Sequence, residues 1–598
     1  MTTHLIPIET RNRGHLFVAT CNLQELPAQP PLHGPAPRDA HLTPVETRAQ
    51  DRLFVTHCSL EGLRDRLPLR WPAPPDIPPS PKKSYRSHYI HLGGEDLKDP
   101  AAWEDLSGFD LVLRLIDFAP LRPVLAQRLG WTSARGWRPF DPISIFLLHG
   151  WQITNGWSRA ETLRQLKKTR NADYAQWFGF EDGDYPTEGG LRYWLTALGK
   201  HSETGDTIVV DQNRQIEVAI QYLNQLIAQS VYLFVETDLI TPQAWLQALL
   251  CPDGMIHDAA SRLRCGDVRE SCYQETSPEN PRPCLAKQEG RQGCDCDTIA
   301  CKSSCRRATP RDPEARFIRY KGSNKQRNDT PNQHTTSNRD EKKGEPRYGY
   351  RSLPIQLAEF NRRFSVVLSG DFLAASAREE NPAAALLLQL ETFSPDLQVD
   401  AVAGDAGFGY QVFLHTVYDH LHARRVVDLR ASKSDRDKAE WLSRRYDDKG
   451  RPICPFGYTL TANGFDYEAR RHKWFCAKAC RNGADPVVRV EETIYPPPEC
   501  PHLKQTFGQI VNVGERFENG SIRLARDVVV DSPEWKRLYP RARNAVEGRN
   551  STLEAWNLKR LPVYGKSRGK AFTFLADVWR NLTTLARLVR EASAATGI

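Results

Sequence analysis

Apolar and polar positions divide the chain into stretches of different period. Residues 1–95 are rich in proline and hold short apolar pieces that repeat. His4-Leu-Ile-Pro-Ile-Glu-Thr-Arg returns as His41-Leu-Thr-Pro-Val-Glu-Thr-Arg, and Leu16-Phe-Val as Leu53-Phe-Val, at an offset of 37 residues. Two copies are too few for a solenoid, so this tandem repeat predicts two short strand-bearing units with a proline-rich linker over 72–81. Residues 96–235 predict helices. Leu111–Ile116 and Ile143–Leu148 are apolar runs with helical extensions, and Asp141-Pro142 is an N-cap followed by proline at the first helical position. Leu163 and Leu166 share a face, Thr187-Glu188 caps a helix carrying Leu191, Trp194 and Leu195, and Ile216–Ile227 is amphipathic.

From about residue 231 the pattern changes. Val231–Asp238, Tyr348–Leu357, Phe364–Asp371, Val399–Gly404 and Arg425–Arg430 read as strands. Helices are expected at Asn381-Pro382 and over Tyr410–His422. This alternation predicts an α/β sheet with helices on its faces. Residues 236–445 form the first part of that unit, with a cysteine-rich, basic insert over 258–346. Residues 446–519 are a second cysteine-containing insert, and 520–598 close the unit. Asp531-Ser532-Pro533-Glu534 is a helix start, Tyr539-Pro540 is expected to break the helix, and a new helix is expected from Arg541 to Lys559.

Composition refines this picture modestly. The chain has 598 residues, 40% hydrophobic and 26% charged, as in globular proteins. Its formal charge of +8 permits a polyanionic partner. Met1–Ile8 contain no apolar core of a signal peptide and no run of 18 apolar residues occurs, so a cytoplasmic protein without a membrane span is expected. Fourteen cysteines then read as reduced thiols or metal ligands. Cys294, Cys296, Cys301 and Cys305 fall within twelve residues of a polar stretch, which suits a zinc site. Cys454, Cys476, Cys480 and Cys500 suggest a second, because a small segment with little core often needs a metal to fold.

Three acids stand out. Asp405 ends the apolar run Val399–Gly404 and is ringed by Gly404, Gly407 and Gly409, an arrangement that fixes a carboxylate on a rigid strand end. Asp253-Gly254 sits where another apolar stretch meets a turn, with Asp238 and Asp258 as competitors for the same role. Glu547 lies four residues after Arg543 on the late helix, in a field that includes Arg549, Lys559 and Arg560. The simplest reading of the Arg543/Glu547 pair alone is a surface salt bridge worth a few tenths of a kcal/mol. Together, acids from remote parts of the chain can hold two divalent cations for an in-line attack on phosphorus. Hard cations such as Mg²⁺ prefer these oxygens to thiolates.

With these residues in view, the chain resembles the DDE transposases of bacterial insertion sequences over most of 137–590. Pro139-Phe-Asp-Pro, Gly179-Phe180 and Pro186-Thr187 resemble their N-terminal helical module. Asp253-Gly254, Gly404-Asp405-Ala406-Gly407-Phe408 and Arg543-Asn-Ala-Val-Glu547-Gly-Arg-Asn-Ser551 resemble the surroundings of the three catalytic acids, and Arg580-Asn581-Leu582 the closing helix. The resemblance implies a ribonuclease H-like mixed sheet flanked by helices, with an N-terminal helical DNA-binding module and Cys-rich insertions. It implies Mg²⁺ (or Mn²⁺) held by Asp253, Asp405 and Glu547. It also implies phosphate contacts by Arg543, Arg549, Lys559 and Arg560, and cleavage and strand transfer of DNA at element ends and target, by a homodimer on the bacterial nucleoid. The sequence departs from the family pattern at Met255, where a threonine is usual, at Glu554, where a lysine is usual, and in the three residues between Tyr539 and Arg543. A catalytically inactive, transposase-derived DNA-binding protein is the alternative.

Overall fold

The computed structural model describes, in the main, residues 67–72, 85–90, 105–131, 138–200, 218–260, 345–359, 363–427, 451–482, 508–514 and 533–595, with shorter pieces between them. Cys21, Cys58, Cys294, Cys296, Cys301 and Cys305 lie outside the described residues. Each repeat unit near the start forms one antiparallel hairpin, Leu5–Thr10 with Gly14–Ala19 and His41–Glu46 with Arg52–His57, as the repeat predicts.

The main body is a mixed α/β structure. In chain order its principal elements begin with α1 (Gly108–Leu115), α2 (Pro142–Thr154), α3 (Arg159–Leu166), α4 (Glu188–Gly199) and α5 (Val218–Glu236). Strands β1 (Ala248–Pro252), β2 (Met255–Asp258), β3 (Arg316–Tyr320), β4 (Glu345–Glu359) and β5 (Phe364–Ala374) follow. Then come α6 (Glu380–Phe393), β6 (Val399–Gly404) and β7 (Arg424–Val427). A separate antiparallel sheet, β8 (Thr461–Asp466), β9 (Arg471–Phe475) and β10 (Ile510–Gly514), occupies the second insert. Helices α7 (Pro533–Ala555) and α8 (Lys566–Ala595) close the chain.

Helix starts follow local chemistry. Asp141 Oδ1 accepts the Ile143 N–H (3.0 Å), Ser158 Oγ the Glu161 N–H (3.2 Å) and Thr187 Oγ1 the Gly190 N–H (3.1 Å). Two expectations fail. Val231–Asp238 is no strand, because residues 231–236 continue α5. Their β-branched and aromatic run fits either element, and continuity with the amphipathic turns before it decides for helix. Pro540 does not break the late helix but lies inside α7. Leu538, Ala542 and Val546, on both sides of it, are buried in one cluster, and tertiary packing holds the helix across the missing bond.

The main sheet runs β2-β4-β1-β6-β7, with β3 and β5 also paired to β4. β4 is antiparallel to β1 and β5, while β6 is parallel to β1 and β7. Side chains alternate across the sheet. Ala248, Leu250 and Val402 join the large core that includes α2, α4, α5, α6 and α8. Leu249, Cys251, Ala401, Ala403 and Val426 face α7 on the other side. The helices before the sheet share that large core with α8. Trp579, fully buried, lies among Phe109, Phe118 and Phe146 at 5.0, 6.1 and 5.3 Å between ring centroids. Edge strand β5 is covered: Asn581 bonds both the N–H and the C=O of Val367 (each 2.9 Å), and Asn224 accepts the Gly370 N–H (2.7 Å). Among the described residues no helix is long and apolar enough to cross a membrane.

Candidate active site

β1 and β6 are parallel neighbours, and Leu250 stands opposite Val402. Asp253 and Asp405 each lie three residues further on, so both acids leave the sheet at the same end. Adjacent strands are about 4.8 Å apart, which sets the scale of their backbone separation. Asp405 caps a short turn over Ala406–Phe408; its Oδ1 accepts the Gly407 N–H at 2.8 Å, and Phe408 anchors the turn in the core. Asp253 Oδ1 accepts the Gly254 N–H at 2.9 Å, and its Oδ2 lies 3.1 Å from Arg543 Nη1 on α7. Of the three acids weighed for the first position, Asp253 is therefore the one beside Asp405. Asp238 lies just past the end of α5 with a positive φ of 53°. Asp258 is bound to Arg347 at 2.8 Å, at the far end of β2.

A third carboxylate joins them that the sequence reading missed. Glu379, just before α6, is ion-paired with Arg351 of β4. Its carboxylate presses on Gly254, where an added Cβ would meet Oε1 at 2.8 Å, so any larger residue at 254 would displace the pair. Burial pushes the Glu379 carboxyl up to about 7, with Arg351 opposing and Asp253 and Asp405 adding to the push. Burial likewise raises Asp253 to about 6, with Arg543 opposing and Asp405 reinforcing. Three carboxylates thus share one field, balanced by two guanidinium groups. The only sequence trace of Glu379 is its place in a polar run before a helix; its burial comes from β4, which is not local.

The raised values carry a sign. An acid whose folded pKa exceeds its unfolded value contributes stability that is complete below the unfolded pKa and is lost as pH rises through the folded one. For Asp253 and Glu379 the loss falls between about pH 4 and pH 7. Glu379→Gln is therefore expected to raise the melting temperature at pH 8 and to leave it nearly unchanged at pH 5. Calorimetry at the two pH values checks this, and an equal shift at both would contradict it.

Other expected site residues fall in different surroundings. Glu547 is exposed on α7, four residues after Arg543, so the two share a helix face. Arg549 is not a phosphate contact. Its side chain is 0% exposed and forms a two-pronged pair with Asp577 at 2.8 and 2.9 Å. It sits on the inner face of α7, which the basic composition of that stretch conceals. Arg543, with its side chain 21% exposed, is paired with Asp253. Lys559 Nζ pairs with Glu554 at 3.2 Å, both about half exposed, and exposed Arg560 reaches the Ala260 carbonyl at 3.3 Å.

In the second insert, Cys454, Cys476, Cys480 and Cys500 are half-buried thiols. Among the described residues, Cys454 and Cys476 edge a small core of Leu460, Trp474 and Val513, with Ala462 and Val511 packed beside it. Burial pushes the Cys454 thiol up, while the N–H groups of Tyr458 and Phe456 bond it and favour its thiolate; Cys476 and Cys480 lie within its electrostatic reach. Cys476 Sγ accepts the Lys478 N–H at 3.4 Å. Gly457 and Lys478 both take positive φ, 81° and 55°, folding the chain back over each sulfur. Among the described residues, however, no group of three or more histidine, cysteine or acidic side chains is gathered as a ready-made metal shell, either here or around Asp405. No protein-family model and no curated protein matches the chain.

Proposed function

We propose that the chain is a DDE transposase with a ribonuclease H-like core, cleaving and joining DNA at the ends of an insertion sequence. The observation that carries this reading is the placement of Asp253 and Asp405 at matched ends of two adjacent parallel strands. The sheet supports it as well. Counted along the chain, β1, β4, β5, β6 and β7 lie in the order third, second, first, fourth, fifth, with only the second antiparallel to its neighbours, as a ribonuclease H-like core requires.

Divalent-cation chemistry fits the residues present. The donors are hard carboxylate oxygens, and burial and mutual repulsion raise Asp253 and Glu379, a cost a bound cation would relieve. Asp253, Asp405 and Glu547 would hold Mg²⁺ or Mn²⁺, which when bound would polarise the phosphodiester and activate the attacking oxygen. The chain's own residues do the rest. The strand ends fix the two aspartates, Gly407 orients Asp405 through its N–H, and Arg351 steadies Glu379. Arg543 balances the charge of Asp253, a role that a bound cation would share. Lys559 and Arg560 stand at the surface where a DNA backbone can reach them. On this reading the protein works on the nucleoid of a bacterial cytoplasm as a homodimer bound to two element ends.

The deciding experiment is Mg²⁺-dependent nicking of a plasmid carrying the DNA that flanks this reading frame. One observation favours the alternative, an inactive DNA-binding derivative: the Arg543–Asp253 pair already satisfies the first acid. Binding without nicking in either Mg²⁺ or Mn²⁺ would select that alternative.

The second insert is proposed to hold a structural zinc on Cys454, Cys476, Cys480 and Cys500, since the core of its described residues is small for an independent sheet. Elemental analysis of the purified protein is expected to show zinc that falls by one equivalent in Cys454→Ser/Cys480→Ser. Unchanged zinc in that variant would remove these cysteines as ligands.

A further inference from the structure

Three arginines meet on a surface that the carboxylate cluster does not use. Arg159 opens α3, Arg192 lies on α4 and Arg568 in the first turn of α8. Packing of α4 on α8 brings these elements together. Gly199, at the end of α4, sits so close to Ser567 that an added Cβ would meet the Ser567 carbonyl oxygen at 2.0 Å. The charges are poorly balanced. Burial first, then Arg568 and Arg192, disfavour the charge of Arg159, with Glu188 the opposing acid; burial and then Arg192 do the same to Arg568, with Asp312 opposing. Asp312 is already occupied, accepting from the Tyr350 hydroxyl at 2.6 Å and the Gly565 N–H at 3.1 Å.

Arg159 adds a second anomaly. Its Nε and Nη1 are buried, yet neither has a hydrogen-bond partner among the described residues. Buried guanidinium nitrogens without an acceptor are costly, and an anion is the natural missing partner. The rim is aromatic. Tyr193 is 56% and Tyr564 36% exposed, and the Arg568 guanidinium lies 5.6 Å over the Tyr564 ring. Arginines interleaved with exposed tyrosines suit a phosphate backbone better than a hydrophobic partner.

We propose that Arg159, Arg192 and Arg568, flanked by Tyr193 and Tyr564, form a second nucleic-acid contact that cradles the phosphate backbone of duplex DNA. The proposal deepens the transposase reading and rests on its DNA substrate. In this role the helices before the sheet and the start of α8 act as one binding surface. The contact is with phosphate rather than base edges, so it adds affinity without sequence preference.

The test is fluorescence anisotropy of a labelled duplex with the full chain across a salt series. Each phosphate neutralised contributes about 0.9 to the slope of log K against log salt. Arg159→Gln/Arg192→Gln/Arg568→Gln is expected to flatten that slope by about 2 to 3, equally for flanking and unrelated sequences. Arg587→Gln, at a surface arginine paired with Glu591, is the charge control and is expected to leave it unchanged. Removing mutually repelling charges should hold or raise the melting temperature, whereas a purely structural role predicts a fall. If the triple variant fails to fold, exposed Arg192→Gln alone should flatten the slope by about 1.

An unchanged slope in a folded variant overturns the proposal while leaving nicking by the parent protein as separate support for the transposase reading. The converse, a flattened slope with no nicking, keeps the cradle and rejects catalysis. A melting temperature raised by inorganic phosphate, together with an unchanged DNA slope, would make this a small-anion site and overturn the proposal. No DNA binding by the parent protein would overturn both.

Discussion

Asp405→Asn is expected to abolish Mg²⁺-dependent strand nicking while leaving duplex binding within about twofold of the parent protein. The amide keeps the shape and one acceptor oxygen, so the Gly407 N–H bond and the turn over Ala406–Phe408 survive. What is lost is a charged oxygen donor beside Asp253. If cation stabilisation at such a centre is on the order of 4 kcal/mol, the nicking rate falls roughly a thousandfold. Plasmid nicking and anisotropy on one preparation separate the two effects. Nicking that persists in Asp405→Asn at the parental rate would sink the catalytic assignment. Loss of both nicking and binding would point instead to a damaged strand end.

The largest stability effect is expected at Arg549. Its guanidinium is wholly buried, paired on two prongs with Asp577, and also donates to Ser352 Oγ at 3.2 Å. That hydroxyl in turn lies 2.8 Å from His257 Nε2, so one polar chain links β2, β4, α7 and α8. Removing one member of a buried ion pair strands the other charge, at a cost of about 3–5 kcal/mol. Arg549→Met and Asp577→Leu singly should each lower the melting temperature by several degrees or prevent folding. The double variant should recover much of the loss, because two apolar side chains leave no buried charge. Thermal melting by circular dichroism measures this cycle. Additive losses in the double variant would show that the two groups act independently.

Much of the frame is legible in the sequence because it rests on local patterns. Apolar runs ending in Asp-Gly or Gly-Asp mark the ends of β1 and β6, and side-chain caps mark the starts of α2, α3 and α4. The less legible parts depend on contacts between distant segments. Glu379 becomes a site residue only because β4 delivers Arg351 to it and β1 delivers Gly254. Arg549 sits in a run of basic residues with no local sign that its face of α7 is buried. Val231–Glu236 satisfies strand and helix alike until its neighbours are counted, and Pro540 breaks a helix only where packing fails to hold it. Side-chain chemistry can therefore nominate Asp253, Asp405 and Arg543 from sequence, but the pairing of Arg543 with Asp253, and the Arg351–Glu379 pair beside it, are found only in three dimensions.

The small side chains beneath α7 have a consequence for how the centre is tuned. Cys251, Ala358, Ala401 and Ala403 act as a thin shim, letting the helix ride low on the sheet so that Arg543 reaches Asp253. Thickening that shim by a methyl group or two would lift the helix bodily and carry Glu547 upward with Arg543. The height of Arg543 over the strand ends is thus governed by alanines and a cysteine that form no ion pair themselves.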